Sequence, residues 1–381
     1  MTRAIDPADD RLYATHARID LSAVADNLRA VRHRVGNREV LLAVKADAYG
    51  HGAVPVSRHV QETGTADQLG VATVPEALEL RGAGITLPIL KLSHVLSGAE
   101  AEAAVGADVA LTVVDEASAR LTSAAARTLG RVAQVHLKVD TGMRRIGAQP
   151  EAVVALARHI QSLPAIDLVG LMTHLPVSDT PDGVAYTENQ LALFHRLADE
   201  VQAVSGPLPY IHAANSGGIC GHPASWGTLV RPGIMAYGSF PDHQTPRTVR
   251  LRPAYSLATR VSAVKRVRAG ETVGYGRTWT AAHDTTIATI PIGYADGYSR
   301  LLSNRGNALV GGHRHSIAGR VCMDQTMLDL GPDSTVTTGD EVILIGHQGD
   351  QEISVWDVAD LMGTIPYEVT CLISDRVPRE Y

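Results

Sequence analysis

Lys45 stands at the end of a short apolar run, Val40-Leu41-Leu42-Ala43-Val44, and is followed by Ala46-Asp47-Ala48-Tyr49-Gly50-His51-Gly52. The run reads as a buried strand, the glycines mark a turn, and a helical stretch comes next. A lysine at the end of a buried strand has left water, which disfavours its ammonium form. Such a lysine suits Schiff-base chemistry with an aldehyde or ketone. Taken alone, a lysine whose stem is buried and whose head reaches water is the commoner explanation. The rest of the chain has to decide between them.

The elements that would position Lys45 are legible as a rhythm. From about residue 20 to 240, short apolar runs alternate with amphipathic helical stretches. The expected strands are Val40–Ala46, Leu69–Thr73, Pro88–Leu92, Val109–Val113, Ala133–Val139, Leu168–Thr173, Tyr210–Ala214 and Leu229–Arg231. Helices are expected over Pro150–Gln161 and over Thr187–Val204, the latter opening on Thr187-Glu188-Asn189-Gln190 as a capping box. This alternation predicts an α/β chain with an N-terminal (β/α)8 TIM barrel over residues 16–245, a doubly wound open sheet being the competing architecture. In such a barrel, reactive groups gather at the C-terminal ends of the strands. Lys45 ends the first run, Lys138-Val139-Asp140 the fifth, and Thr173-His174 the sixth. Asn215-Ser216-Gly217-Gly218 follows the seventh, and Arg231-Pro232-Gly233 ends the eighth. Scattered polar residues would show no such agreement. The glycine-rich loops after strands seven and eight supply free backbone N–H groups where barrels commonly bind phosphate.

After about residue 245 the runs become short, β-branched and turn-separated: Tyr255–Val267, Thr286–Pro291, Ala308–Val310, Ser316–Cys322, Met327–Leu330 and Glu341–Ile345. Only Val355–Met362 reads as helix. Residues 246–381 are therefore expected to form a mostly antiparallel β domain. Residues 1–15 read as a disordered or frayed tail.

A net charge of −6 leaves no basic face for nucleic acid, and no lysine/arginine run suggests a membrane surface. The acidic N-terminus is no signal peptide, and no later stretch is apolar enough to span a bilayer. Three cysteines, Cys220, Cys322 and Cys371, form no metal or disulfide pattern, so a reducing cytoplasm is the simplest location.

Four further motifs join the lysine segment. They are Lys138-Val139-Asp140-Thr141-Gly142-Met143-Arg144-Arg145-Ile146-Gly147, Val273-Gly274-Tyr275-Gly276-Arg277-Thr278-Trp279, Gly293-Tyr294-Ala295-Asp296-Gly297-Tyr298-Ser299-Arg300 and Gly319-Arg320-Val321-Cys322-Met323-Asp324-Gln325. Gly363-Thr364-Ile365-Pro366-Tyr367-Glu368 completes the set. Together with Val44-Lys45-Ala46-Asp47-Ala48-Tyr49-Gly50-His51-Gly52 they resemble, in order and spacing, the alanine racemases. The resemblance covers about residues 16 to 378. It allows the early strand His16–Leu21 to join the second domain.

The resemblance implies a pyridoxal-phosphate enzyme that interconverts L- and D-alanine and supplies D-alanine for peptidoglycan. Lys45 would carry the cofactor and act as base on the D side, with Tyr275 as base on the L side, helped by His174 backed by Arg231. Arg145 and Met323 would bind substrate. Tyr49, His174, Asn215, Ser216, Arg231, Gly233, Ile234 and Tyr367 would hold cofactor. Tyr294, Asp179, Arg300, Arg320 and Ile365 would line the substrate's access route. Lys138 corresponds to a lysine that is N-carboxylated in some members, and no metal is implied. Tyr275 and Met323 would come from the partner subunit of a homodimer with shared sites. Three departures bear on substrate size: Arg144 where glycine or asparagine is common, Gly217-Gly218 where alanines are common, and Leu175-Pro176-Val177 after His174.

Arg231 bears on the reaction class. A carboxylate facing a pyridine nitrogen keeps it protonated, whereas an arginine does not give up its proton at ordinary pH and leaves the nitrogen bare. That disfavours a decarboxylase on the same plan. A pyridoxal-phosphate carrier without robust turnover would lack the second domain. A serine or broad-range racemase remains the rival, because one hydroxyl is a small difference for a pocket to reject.

Overall fold

The computed structural model describes residues 12–381. It divides the chain into two compact units, Leu21–Arg252 and Pro253–Tyr381, the latter joined by the described residues up to Asp20.

In the first unit eight strands pair in parallel: Glu39–Ala43, Gln68–Val71, Ile89–Lys91, Val109–Val113, Ala133–Lys138, Ile166–Met172, Tyr210–His212 and Leu229–Val230. The last pairs back onto the first, Glu39 opposite Leu229 and Val40 opposite Val230. The remaining seam, between strands seven and eight, is spanned by the Thr228 N–H to Ile211 C=O at 2.9 Å and the Arg231 N–H to Ala214 C=O at 3.0 Å. The strands are mostly apolar, as a parallel sheet wrapped by helices requires, with His136, Lys138 and His212 among the buried polar exceptions; Leu41, Leu90, Met172 and Leu229 meet in the interior. The segment after Tyr237 stays with the barrel: Thr245 Oγ1 donates to Asp179 C=O, and the Arg252 N–H to Asn27 Oδ1.

The second unit is a ten-stranded sheet, antiparallel except where Arg379–Glu380 lies beside His16–Ile19. The early strand thus belongs to this unit, paired with Tyr255–Arg260.

Several expectations need correction. The first barrel strand stops at Ala43, so Lys45 lies just beyond it. Helix Val184–Ser205 starts three residues before Thr187, whose hydroxyl is buried inside it and caps nothing. The strand expected to reach Cys322 ends at Ile317, where the chain turns, and Tyr255–Val267 is two strands rather than one. A second helix, Pro366–Leu372, follows Val355–Met362, with Pro366 in its first turn. Of the expected tail, residues 1–11 lie outside the described residues, while Thr15 is buried and bonded to Thr259 and Pro291. Among the described residues no helix is long and apolar enough to cross a membrane.

Candidate active site

Lys45 is half-buried, its Nζ 6.0 Å from the centre of the Tyr49 ring. Beyond Lys45 the chain enters a left-handed turn: Ala46, Asp47, Ala48 and Tyr49 have φ between 52° and 57°. L-residues with a Cβ pay roughly 1–2 kcal/mol each for this conformation, so tertiary bonds must hold it. Glu76 Oε1 accepts the Ala46 N–H at 2.8 Å, and the Val44 C=O accepts the Ala48 N–H at 2.8 Å. Asp47 Oδ1 accepts the Ala53 N–H at 2.6 Å and so ties the turn to the next helix. The turn buries Tyr49 against Tyr237, ring centres 5.1 Å apart, while the Tyr237 hydroxyl donates to Ala43 C=O.

Tyr49 is thereby brought to the loops after strands seven and eight. Ser216 Oγ accepts the Gly233 N–H at 3.1 Å. A Cβ on Gly233 would stand 2.7 Å from the Tyr49 hydroxyl, so any larger residue would have to push that side chain aside. Asn215 braces this cradle, accepting from the Gly218 N–H at 3.0 Å and from Ser178 Oγ at 2.7 Å, and donating to Leu175 C=O. Gly217 has its own reason here: a Cβ would lie 2.7 Å from Ser178 Oγ and 2.9 Å from the Asp179 backbone nitrogen. An alanine here would press on the Ser178–Asp179 segment.

Arg231 is buried and fully occupied on its inner side. Nη1 donates to His212 Nδ1 at 2.8 Å; Nη2 donates to Thr173 C=O at 2.8 Å, Ala213 C=O at 3.0 Å and His174 Nδ1 at 3.4 Å. A guanidinium only donates, so both histidines accept at Nδ1 and carry their proton on Nε2. His212 Nε2 then donates to His136 Nδ1 at 2.8 Å. Burial, with Arg231 adding, drives His136 down to about 3 and His212 and His174 well below the ordinary histidine range. All three are neutral. Burial also lowers Arg231 to about 10, which still leaves it charged near neutrality. Sequence alone does not single out His136 and His212, since nothing in an apolar strand distinguishes a histidine serving the site from a structural one.

Lys138 is pushed down to about 7, by burial first and then by Arg231, Arg145 and Lys45, with Asp140 opposing. Asp140 is otherwise engaged, its Oδ1 accepting the Gly142 and Arg144 N–H groups at 2.9 and 3.0 Å. These bonds shape the loop that carries the exposed Arg145, and they hold Arg144 at φ 58°, which explains why glycine or asparagine suits that position. The barrel mouth therefore concentrates positive charge that its own carboxylates do not balance.

The other candidates lie in the second unit. Tyr275 sits on a short 3₁₀ turn and is 74% exposed in the single chain; Met323, Ile365 and Tyr294 are 53, 49 and 44% exposed. Arg300 is exposed, while Arg320 and Tyr367 are half-buried. The Tyr294 and Met323 loops are joined by the Tyr294 N–H to Cys322 C=O and the Ala295 N–H to Met323 C=O, both 3.0 Å. The sequence candidates thus assemble into two groups, one at the barrel mouth and one on the loops of the β unit.

Together, the lysine turn, the Ser216–Gly233 cradle and the histidine-backed arginine on a barrel with an added β domain define a barrel-type pyridoxal-phosphate protein. Residues 19–241 match the family description "Alanine racemase, N-terminal domain", and residues 254–381 match "Alanine racemase, C-terminal domain". The chain belongs to the alanine racemase family. It is 51% identical over 365 residues to the alanine racemase of Cutibacterium acnes, covering 96% of this chain and 97% of that one. It is 44% identical to that of Symbiobacterium thermophilum, covering 98% of each. The crystal structure of alanine racemase from D-cycloserine producing Streptomyces lavendulae superposes with a TM-score of 0.91 at 37% identity, covering 97% of both chains.

Proposed function

We propose that this chain interconverts L- and D-alanine with Lys45 and Tyr275 as bases on opposite faces of the substrate. The observation that carries the reading is Arg231. It is a buried cation, hydrogen-bonded through Nη1 and Nη2, where a decarboxylase would want a carboxylate.

The residues present fit pyridoxal phosphate. The cradle of Ser216, Gly233 and Tyr49 leaves no room for a Cβ unless Tyr49 shifts, and the cations Arg231, Arg145 and Lys45, which add to burial in depressing Lys138, suit a polyanion. Lys45 would bind the aldehyde carbon. Tyr49, Asn215, Ser216, Gly233, Ile234 and Tyr367 would hold the phosphate end, and Arg231 would face the ring nitrogen. When bound, pyridoxal phosphate supplies an electron sink that makes the amino acid's α-proton acidic. Arg231 would donate to the ring nitrogen without releasing its proton, which would keep that sink weak and limit transamination. Arg145 orients the substrate carboxylate, and Lys45 Nζ takes or returns the α-proton on the D face. Tyr275 Oη does so on the L face. His174, neutral with its proton on Nε2, is a hydrogen-bond donor suited to stabilising a phenolate. Met323 contributes to the substrate pocket, and Tyr294, Asp179, Arg300, Arg320 and Ile365 restrict access. Lys138, titrating near 7, is an amine that can capture CO2 as a carbamate with release of a proton, giving Arg145 a negative partner.

The same reading makes the protein a cytoplasmic homodimer whose sites are shared, supplying D-alanine for peptidoglycan. It is supported by the large exposure of Tyr275 and Met323 in a single chain. Borohydride reduction should fix the cofactor on the peptide holding Lys45; label on another peptide would sink the assignment. Tyr275→Phe should still exchange the α-proton of D-alanine with solvent while racemising about 10²–10⁴-fold more slowly. Inactive Lys45→Ala and Tyr275→Phe subunits mixed into heterodimers should regain up to half the wild-type sites. No recovery after verified subunit exchange would place the site within one chain.

A further inference from the structure

Three segments of the β unit meet beside Tyr294 and Met323. The turn around Tyr294 and the loop around Met323 flank the paired strands Thr285–Ile290 and Thr326–Gly331. Their backbones touch so closely that a Cβ on Gly293 would lie 2.3 Å from Cys322 C=O and 2.4 Å from Met323 C=O. The third segment, after helix Pro366–Leu372, adds the Ser374 N–H to Asp296 C=O at 3.0 Å and Ser374 Oγ to Ala295 C=O at 3.1 Å.

Arg376 extends from this third segment and spans the other two. Its Nε lies 3.3 Å from Asp296 Oδ1, and its Nη2 donates to Asp324 Oδ1 at 2.9 Å. Asp296 is buried, and its other oxygen accepts the Gly293 N–H at 2.8 Å, so that end of the bridge is fixed to the turn carrying Tyr294. Asp324 adjoins Met323. The segment bearing Arg376 is itself anchored. Arg379 donates to the carbonyls of Ile373, Ser374 and Val377, and the chain then pairs with His16–Ile19. An exposed ion pair taken singly contributes little to stability. A planar fork gripping two carboxylates on two loops instead fixes their separation, which a single ammonium cannot do.

We propose that Arg376 is a positioning residue that sets the spacing between the Tyr294 and Met323 loops, and so limits the side-chain size of the amino acid admitted. This rests on the reading that those loops face the substrate. Arg376→Gln in the holoenzyme should raise KM for L-alanine about tenfold with little change in kcat, and lower the preference for alanine over L-2-aminobutyrate about tenfold. Amide exchange in the peptide around Tyr294 and Ala295 should quicken about tenfold, while strand Thr285–Ile290 stays protected. Asp324→Asn should match it, and the double variant should be no worse than either single one. Arg376→Lys should stay close to Arg376→Gln. Full rescue by lysine would mean that charge alone matters and would overturn the bridge, as would additive single variants. If Tyr294→Ala and Met323→Ala change KM and side-chain range but Arg376→Gln does not, only the bridge is refuted. If those two variants change neither, the reading beneath it fails, and the role in size selection fails with it.

Discussion

Lys138 is where the cost of burying a cation, and of burying it among Arg231, Arg145 and Lys45, can be measured. Its ammonium titrates near 7 in the fold and near ~10.4 in an unfolded chain, a difference of roughly 5 kcal/mol wherever both states carry the proton. The sign comes from proton counting. Between about pH 7 and 10.4 the unfolded chain holds a proton that the fold has released, so folding stability rises with pH across that window. Below the folded value the penalty is complete. Lys138→Met removes the ammonium at nearly the same volume, so the variant should exceed wild type most at pH 6. Its advantage should shrink by roughly 3 kcal/mol by pH 9.5. The assay is urea unfolding of both holoenzymes in CO2-depleted buffer at fixed protein and cofactor concentration, since bound ligand shifts stability. Adding bicarbonate at pH 8 should stabilise wild type and leave the methionine variant unmoved, because only a lysine can convert its charge to a carbamate. A difference between the two proteins that is flat from pH 6 to 9.5 would refute the electrostatic account. An equal response to bicarbonate would refute carbamate formation at Lys138.

Three other outcomes test separate parts of the site. Arg231→Glu should raise transamination relative to racemisation, read as faster accumulation of pyridoxamine phosphate than in wild type. Gly233→Ala should loosen the cofactor about tenfold or more in equilibrium dialysis, because its Cβ would press on a Tyr49 ring already packed against Tyr237 and overpacking costs about 1–3 kcal/mol. Arg144→Asn should stabilise the fold by about 0.5–1 kcal/mol, a shift in Tm of a degree or two, since asparagine tolerates positive φ better than arginine. An unchanged or lower Tm would show that the Asp140 bonds leave no strain at that residue.

How far the sequence could be read depended on whether a residue's role was local or long-range. The barrel strands announce themselves because each is a short apolar run between helical periods, and the residues just past them fall at the mouth by topology alone. Lys138, His174, Ser216 and Arg231 were therefore legible as neighbours before any distance was known. The left-handed turn after Lys45 was not. Ala46 and Ala48 carry no signal for positive φ, and the turn is held in part by Glu76, thirty positions away, a contact made only in the fold. The Thr187 capping box failed for a related reason. Its spacing was right, but Pro181–Gly183 had already begun the helical path, which carried Thr187 inside. His136 and His212 mark the deeper limit. Each lies in an apolar strand, and only closure of the barrel brings them in line with Arg231. A sequence motif shows which residues meet the substrate more readily than which ones hold those residues still. The supports are recruited from wherever the fold brings a donor or acceptor, with no fixed spacing to betray them. The same holds for Arg376, whose two carboxylate partners lie 80 and 52 positions away along the chain.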